Sequence, residues 1–131
     1  MKKNIEKEAA EIAKRIARLP QVKAIYLFGS QVTGRARDDS DIDLVVITDT
    51  DSCAEDDAKN FEVIGYSNDK VDVSVFSRLP IMIKFRVLKE GRLLFSRDAK
   101  ELLRIKVDVY REYLDYSSFI KRFYKRVIEN V

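Results

Sequence analysis

The chain has 131 residues, 46% of them hydrophobic, enough for one domain with a core and too few for two typical domains. Its 25 Lys and Arg against 22 Asp and Glu leave a net charge of +3, well short of a surface built to coat nucleic acid, and the lone Cys53 rules out an internal disulfide. With no histidine anywhere, the commonest general base and metal ligand is missing, so chemistry must rest on carboxylates, hydroxyls and cations.

A single domain over residues 1–131 is expected. The N-terminal segment is charged throughout, lacks the apolar run of a signal peptide, and no later segment has the length and hydropathy of a membrane span. A cytoplasmic location follows as the expectation. Ile5, Ala9, Ile12, Ile16 and Leu19 step by four and three, which predicts a core-packing helix closed by Pro20. The run from Lys23 to Phe28 is short, apolar and rich in strand formers, and it stops at Gly29-Ser30, where a turn should lead into a short helix ending near Gly34.

From Asp41 to Ile47 (DIDLVVI) the pattern is that of a central strand, acidic at its start and apolar on both faces thereafter. Thr48 to Lys59 is polar and acidic without periodicity and reads as a surface loop. Phe61 to Ile64 is expected as a short strand. Val71 to Phe76 alternates, with Val71, Val73 and Val75 on one face and Asp72, Ser74 and Phe76 on the other. A helix is expected over 78–89, stopped by Gly91, then an edge strand over 93–95.

The clearest helical stripe closes the chain: Leu102, Ile105, Val109, Tyr113, Tyr116, Ile120, Phe123 and Val127. One helix over about 99–128 would be roughly 45 Å long at about 1.5 Å per residue, whereas a compact domain of this size is about 36 Å across. Either the helix bends near Ser117-Ser118, or its end packs on another chain. The elements together predict an α/β (α+β) fold, a small mixed sheet flanked by helices with a C-terminal helical segment.

Gly29-Ser30, ten intervening residues and then Asp41-Ile42-Asp43 form the constellation that carries chemistry. Carboxylates two apart on a strand share a face, so Asp41 and Asp43 lie side by side. At about 4 Å two such charges repel by roughly 4 kcal/mol at an effective dielectric of 20, a cost that a divalent cation reverses. Hard carboxylate oxygens suit Mg²⁺, and two such ions can stabilise the attacking and leaving oxygens of an in-line displacement at phosphorus.

Asp72 is the natural third carboxylate, and also a candidate base for an acceptor hydroxyl. Gly29 lets the backbone approach a triphosphate closely, and Ser30 adds the first amides of a helix and a hydroxyl. Arg35, Arg37, Lys70 and Lys84 are candidate phosphate cations among which spacing cannot choose. Four fixed positions at this spacing should arise by chance in about one chain of this length per thousand, so the motif is specific.

On these residues, the segment LFGSQVTGRARDDSDIDLVVI resembles the signature of the DNA polymerase beta-like nucleotidyltransferases, particularly the minimal nucleotidyltransferases (MNT). KVDVSVF, VLKEGRLLFSRD and the tail VYREYLDYSSFIKRFYKRVIENV look more weakly like the MNT antitoxins that pair with HEPN-domain toxins. The resemblance implies a polymerase beta-like fold and ATP as substrate. It also implies transfer of AMP to a tyrosine hydroxyl of a HEPN ribonuclease, silencing it.

Gly29 and Ser30 would match the nucleotide-binding turn, Asp41 and Asp43 the metal pair, and Asp72 the third acid. The family's toxins carry an Arg-x4-His active site, and a chain without histidine would be the antitoxin half. Two other readings stay open: transfer to a small molecule such as an antibiotic, and an antitoxin that neutralises by binding alone.

Overall fold

The computed structural model of the chain describes residues 2–29, 42–49 and 60–130. Ser30, Gly34, Arg35, Arg37, Asp41 and Cys53 lie outside them, as does most of the expected 48–59 loop. The first helix, α1, runs Lys2–Ile16, ending four residues before Pro20. Ala9, Ile12, Ala13 and Ile16 make its buried stripe, as the four-and-three spacing requires.

Strand β1 (Val22–Phe28) and strand β2 (Ile42–Thr48) pair antiparallel. Strand β3 (Val71–Val75) adds to β2 in parallel, and strand β4 (Arg92–Ser96) adds antiparallel to β1. The sheet order is β3-β2-β1-β4, which makes β2 the central strand its sequence predicts and β4 an edge. Being apolar at alternate and intervening positions alike, β1 and β2 are covered on both sides.

One face carries Ile25, Leu27, Ile42, Leu44, Val46, Val71, Val73 and Val75, sealed by α1 and by Val63. The opposite face carries Ala24, Tyr26, Val45 and Ile47, beneath helices α3 (Ile81–Glu90) and α4 (Ala99–Glu129).

Residues 60–64 are helical (α2), which corrects the strand expected over Phe61 to Ile64. A four-residue run with three apolar positions fits either period. Here Val63 is buried, Phe61 is exposed and Tyr66, three residues on, packs on the same core, a helical rather than an alternating pattern. Asn60, itself buried, accepts a 3.2 Å hydrogen bond from the Thr48 hydroxyl and ties this turn to the end of β2.

The helix expected over 78–89 splits into a 3-10 turn, Phe76–Arg78, and α3, with Pro80 at the N-cap. Gly91 follows α3 at a φ of −71°, so the need for glycine there is spatial. A Cβ would lie 2.4 Å from the Val87 carbonyl and 3.3 Å from both the Leu27 carbonyl and the Tyr26 ring.

Arg97 ties the start of α4 to the connection between α1 and β1, donating to the carbonyls of Val22 (2.9 Å), Ala17 (2.9 Å) and Leu19 (3.2 Å). The Asp98 side chain then caps α4, accepting from the backbone amides of Lys100 and Glu101, which meets two of the amides that a helix start leaves unpaired. Helix α4 runs 31 residues without interruption, Ser117 and Ser118 included.

Candidate active site

The parallel register pairs Asp43 of β2 with Asp72 of β3, and the antiparallel register pairs Asp43 with Phe28 of β1. Register partners project to the same face, about 4.8 Å apart from strand to strand. Asp72, Asp43 and Phe28 therefore form one transverse row on the α3/α4 side, beyond the part of the sheet that Val45 and Ile47 fill. Asp72 is exposed and its valine neighbours are buried, so it faces away from them, as the alternation predicts. Asp41 lies outside the described residues, and among these no group of three or more carboxylates or thiolates gathers as a metal cage.

The local sequence explains why Asp72 sits where it does. The Asn68 side-chain oxygen accepts from the amides of Lys70 and Val71, each at 2.8 Å, an Asx turn that starts β3 at a fixed point. Lys70 then accepts from the Ile42 amide at 3.2 Å, setting the register of β3 on β2. On the outer edge, the Ser67 hydroxyl accepts from the Val73 amide at 2.9 Å. A slip of one residue would turn Asp72 into the core.

Beside the row, Gly29 adopts a φ of 136°, a conformation that residues with a Cβ rarely reach. The requirement for glycine in the turn after β1 is therefore conformational, in addition to any close approach of a ligand.

The candidate cations are sorted by position. Lys70 stands at the acid end of the sheet. Lys84 does not: its ammonium lies 5.6 Å from the Phe76 ring centre, in a cleft of about 320 Å³ bordered by Ile47, Thr48, Glu101 and Asp108. Ile47 is four residues along β2 from Asp43, about 13 Å away at strand spacing. Arg86, not singled out by sequence, comes to the acid end instead. Its guanidinium lies 5.8 Å from the centre of the Phe28 ring, the aromatic member of the row, and is held 3.2 Å from Glu90 one turn on. It sits in a helix with no fixed spacing from the motif, so only the fold reveals its place.

The donor set fits magnesium. Asp43 and Asp72 offer hard oxygens from neighbouring positions on one face, and their mutual repulsion falls when a divalent cation sits between them.

The profile of the family described as "Polymerase beta, Nucleotidyltransferase" matches residues 10–100, a span that includes Gly29, Ser30, Asp41, Asp43 and Asp72. The chain belongs to the polymerase beta nucleotidyltransferase family. Among curated proteins no sequence matches it significantly.

Solved structures do. A chain of a toxin-antitoxin structure with AMP-PNP aligns at a TM-score of 0.67 and 18% identity, covering 91% of this nucleotidyltransferase and 98% of that chain. A structure of tri-AMPylated Shewanella oneidensis HEPN toxin in complex with MNT antitoxin aligns at 0.63 and 16% identity, over 98% and 99%. A putative nucleotidyltransferase from Sulfolobus solfataricus aligns at 0.55 and 28% identity, over 73% and 84%. At their identities the first two speak to a shared fold, and their coverage extends that fold over nearly all of this nucleotidyltransferase, α4 included.

Proposed function

We propose that this nucleotidyltransferase transfers AMP from ATP to a tyrosine hydroxyl of a HEPN-domain ribonuclease toxin, and so acts as its antitoxin, with residues 1–131 forming one cytoplasmic catalytic domain. The observation that carries the reading is the pairing of Asp43 with Asp72 on adjacent strands beside the glycine-only turn at Gly29. The similar folds found with AMP-PNP and in complex with an AMPylated HEPN toxin support the choice of donor and acceptor.

In this account Asp41, Asp43 and Asp72 hold two Mg²⁺ ions, while Gly29 and Ser30 receive the triphosphate. Bound there, the ions supply charge neutralisation and Lewis acidity at the phosphoryl centre. The residues of the chain do the positioning. Gly29 allows the backbone amides of the turn to approach the β- and γ-phosphates, and Arg86 stands ready to offset their charge.

Asp72, the more exposed acid of the row, accepts the proton of the acceptor hydroxyl. The hydroxyl oxygen then bonds to the α-phosphorus as the bond to the bridging oxygen breaks, and pyrophosphate leaves. No helix among the described residues is long and apolar enough to cross a membrane.

The test is isotopic. Incubated with Mg²⁺ and the HEPN protein, ATP labelled at the α-phosphate should label the toxin and ATP labelled at the γ-phosphate should not. Label from the γ-phosphate would identify a kinase, and transfer to an aminoglycoside without any partner would favour a small-molecule acceptor.

A further inference from the structure

The two acids of the row are not held alike. Asp43 lies on β2, with a strand on each side, whereas Asp72 lies on β3, which pairs with β2 alone. The Asp72 side chain is also exposed, so its place depends on the backbone beneath it rather than on packing. An edge strand held from one side opens more easily than a central one. The amides of Val71 and Val73, on either side of Asp72, point away from β2, and on an open edge they would be left to water.

Both are taken instead by the two residues that lead into the strand. Asn68 Oδ1 accepts from Val71 at 2.8 Å and Ser67 Oγ from Val73 at 2.9 Å, while the Asn68 amide donates to the Val71 carbonyl at 2.9 Å. Ser67 and Asn68 are themselves anchored. The Ser67 amide donates to the carbonyl of Ile64 at 3.0 Å, beside the buried Val63 of α2, and Asn68 Nδ2 donates to Glu8 of α1 at 3.0 Å. The backbone on each side of Asp72 is thereby fastened to two helices.

Magnesium demands near-ideal octahedral geometry at short range, and such a site works only when its ligands are held within about 0.5 Å of the productive arrangement. For this pair of acids, the edge strand sets the limit. We propose, on the metal role assigned above to the acid row, that Asn68 and Ser67 are positioning residues for Asp72. Through the main chain of β3 they keep its carboxylate at the separation from Asp43 that a divalent cation requires. A tie that served folding alone would lower stability when cut and leave cation affinity untouched.

The experiment titrates the full chain with Mn²⁺, which suits the same oxygen ligands as Mg²⁺, and follows the free ion by electron paramagnetic resonance, with no nucleotide or partner present. Well below their melting temperatures, Asn68→Ala and Ser67→Ala should each weaken binding at least about tenfold, the scale of losing an outer contact of a metal site. Ser67→Thr keeps the hydroxyl and should restore binding. So should Asn68→Asp/Glu8→Gln, which exchanges donor and acceptor at α1 without altering net charge. In transfer assays the alanine variants should need more Mg²⁺ for half-maximal rate and lose kcat, with KM for ATP little changed.

Alanine variants that melt earlier but bind Mn²⁺ as tightly as the wild type overturn the proposal, as does weakened binding that neither conservative variant restores. Should Asn68→Ala fail to fold, Ser67→Ala, which cuts a single bond, decides alone. Asp72→Asn separates this failure from that of the reading beneath it. If Asp72→Asn also binds as the wild type does, the acid row is not the cation site, and the proposal falls together with the metal role.

Discussion

Asp43 and Asp72 come from strands far apart in sequence yet face each other in register across a parallel ladder. Like charges directly opposite on neighbouring strands destabilise a sheet, and nothing in the packing of the core demands either acid. The cation proposed for this site would relieve that repulsion. Added Mg²⁺ should therefore raise the thermal midpoint of the wild-type chain. Asp43→Asn and Asp72→Asn should each blunt that rise, detectable by calorimetry without any substrate. An equal rise in all three proteins would place the cation elsewhere.

Gly29 offers a second handle, because its φ of 136° excludes a Cβ at little strain. Gly29→Ala should cost about 1–3 kcal/mol of strain or force the turn to rearrange. The expected outcome is a raised KM for ATP together with a lowered thermal midpoint. A variant with unaltered KM would remove the turn from the triphosphate site.

Arg86 is placed over Phe28, and Phe28 is the register partner of Asp43. Arg86→Ala should raise KM for ATP about tenfold, equivalent to about 1.4 kcal/mol, with little change in stability because the Glu90 pair it breaks is exposed. Lys84→Ala should leave KM near wild type, since Lys84 faces the cleft at the other end of β2. The reverse ranking in steady-state kinetics would contradict this assignment.

Tyr26 is 2% exposed, and among the described residues its hydroxyl has no hydrogen-bond partner. Burial first, and Tyr110 second, raise its pKa above the ordinary 10.0. A group whose folded pKa is raised keeps its full contribution below the unfolded value and loses it as pH climbs from there towards the folded value. The wild type should therefore lose stability steeply above about pH 10, and Tyr26→Phe should lose less. Near neutrality the substitution should be neutral or stabilising by up to about 1 kcal/mol, because it removes an unpaired buried polar group. Denaturation at pH 7 and pH 10.5 measures both effects.

Much of this was legible in the sequence because it rests on local rules. Alternation set the face of Asp72, the run DIDLVVI marked a central strand, and four-and-three spacing drew both long helices. The misreadings have equally physical causes. Phe61 to Ile64 is too short for its period to separate helix from strand, and its fate depends on where Val63 meets the core. Pro80 interrupts the expected 78–89 helix at a point where propensity alone would let it begin earlier.

Cations are the hardest to read. Arg86 and Lys84 lie two apart on one helix and so project about 200° apart, and only the packing of α3 decides which of them meets Phe28 of the acid row and which the distant cleft. The serine pair in α4 bears no signal of its own, since an exposed helix tolerates Ser at modest cost.

The central claim, that the Asp43–Asp72 row moves a nucleoside monophosphate onto the partner, is tested most directly by the intact mass of the HEPN protein after incubation with ATP, Mg²⁺ and this chain. The wild type should add whole AMP units to the toxin, and Asp43→Asn, folded and still bound, should slow the addition by about two to three orders of magnitude, the scale of losing one preorganised transition-state charge. An unmodified toxin with the wild type, or equal modification with Asp43→Asn, would contradict the account.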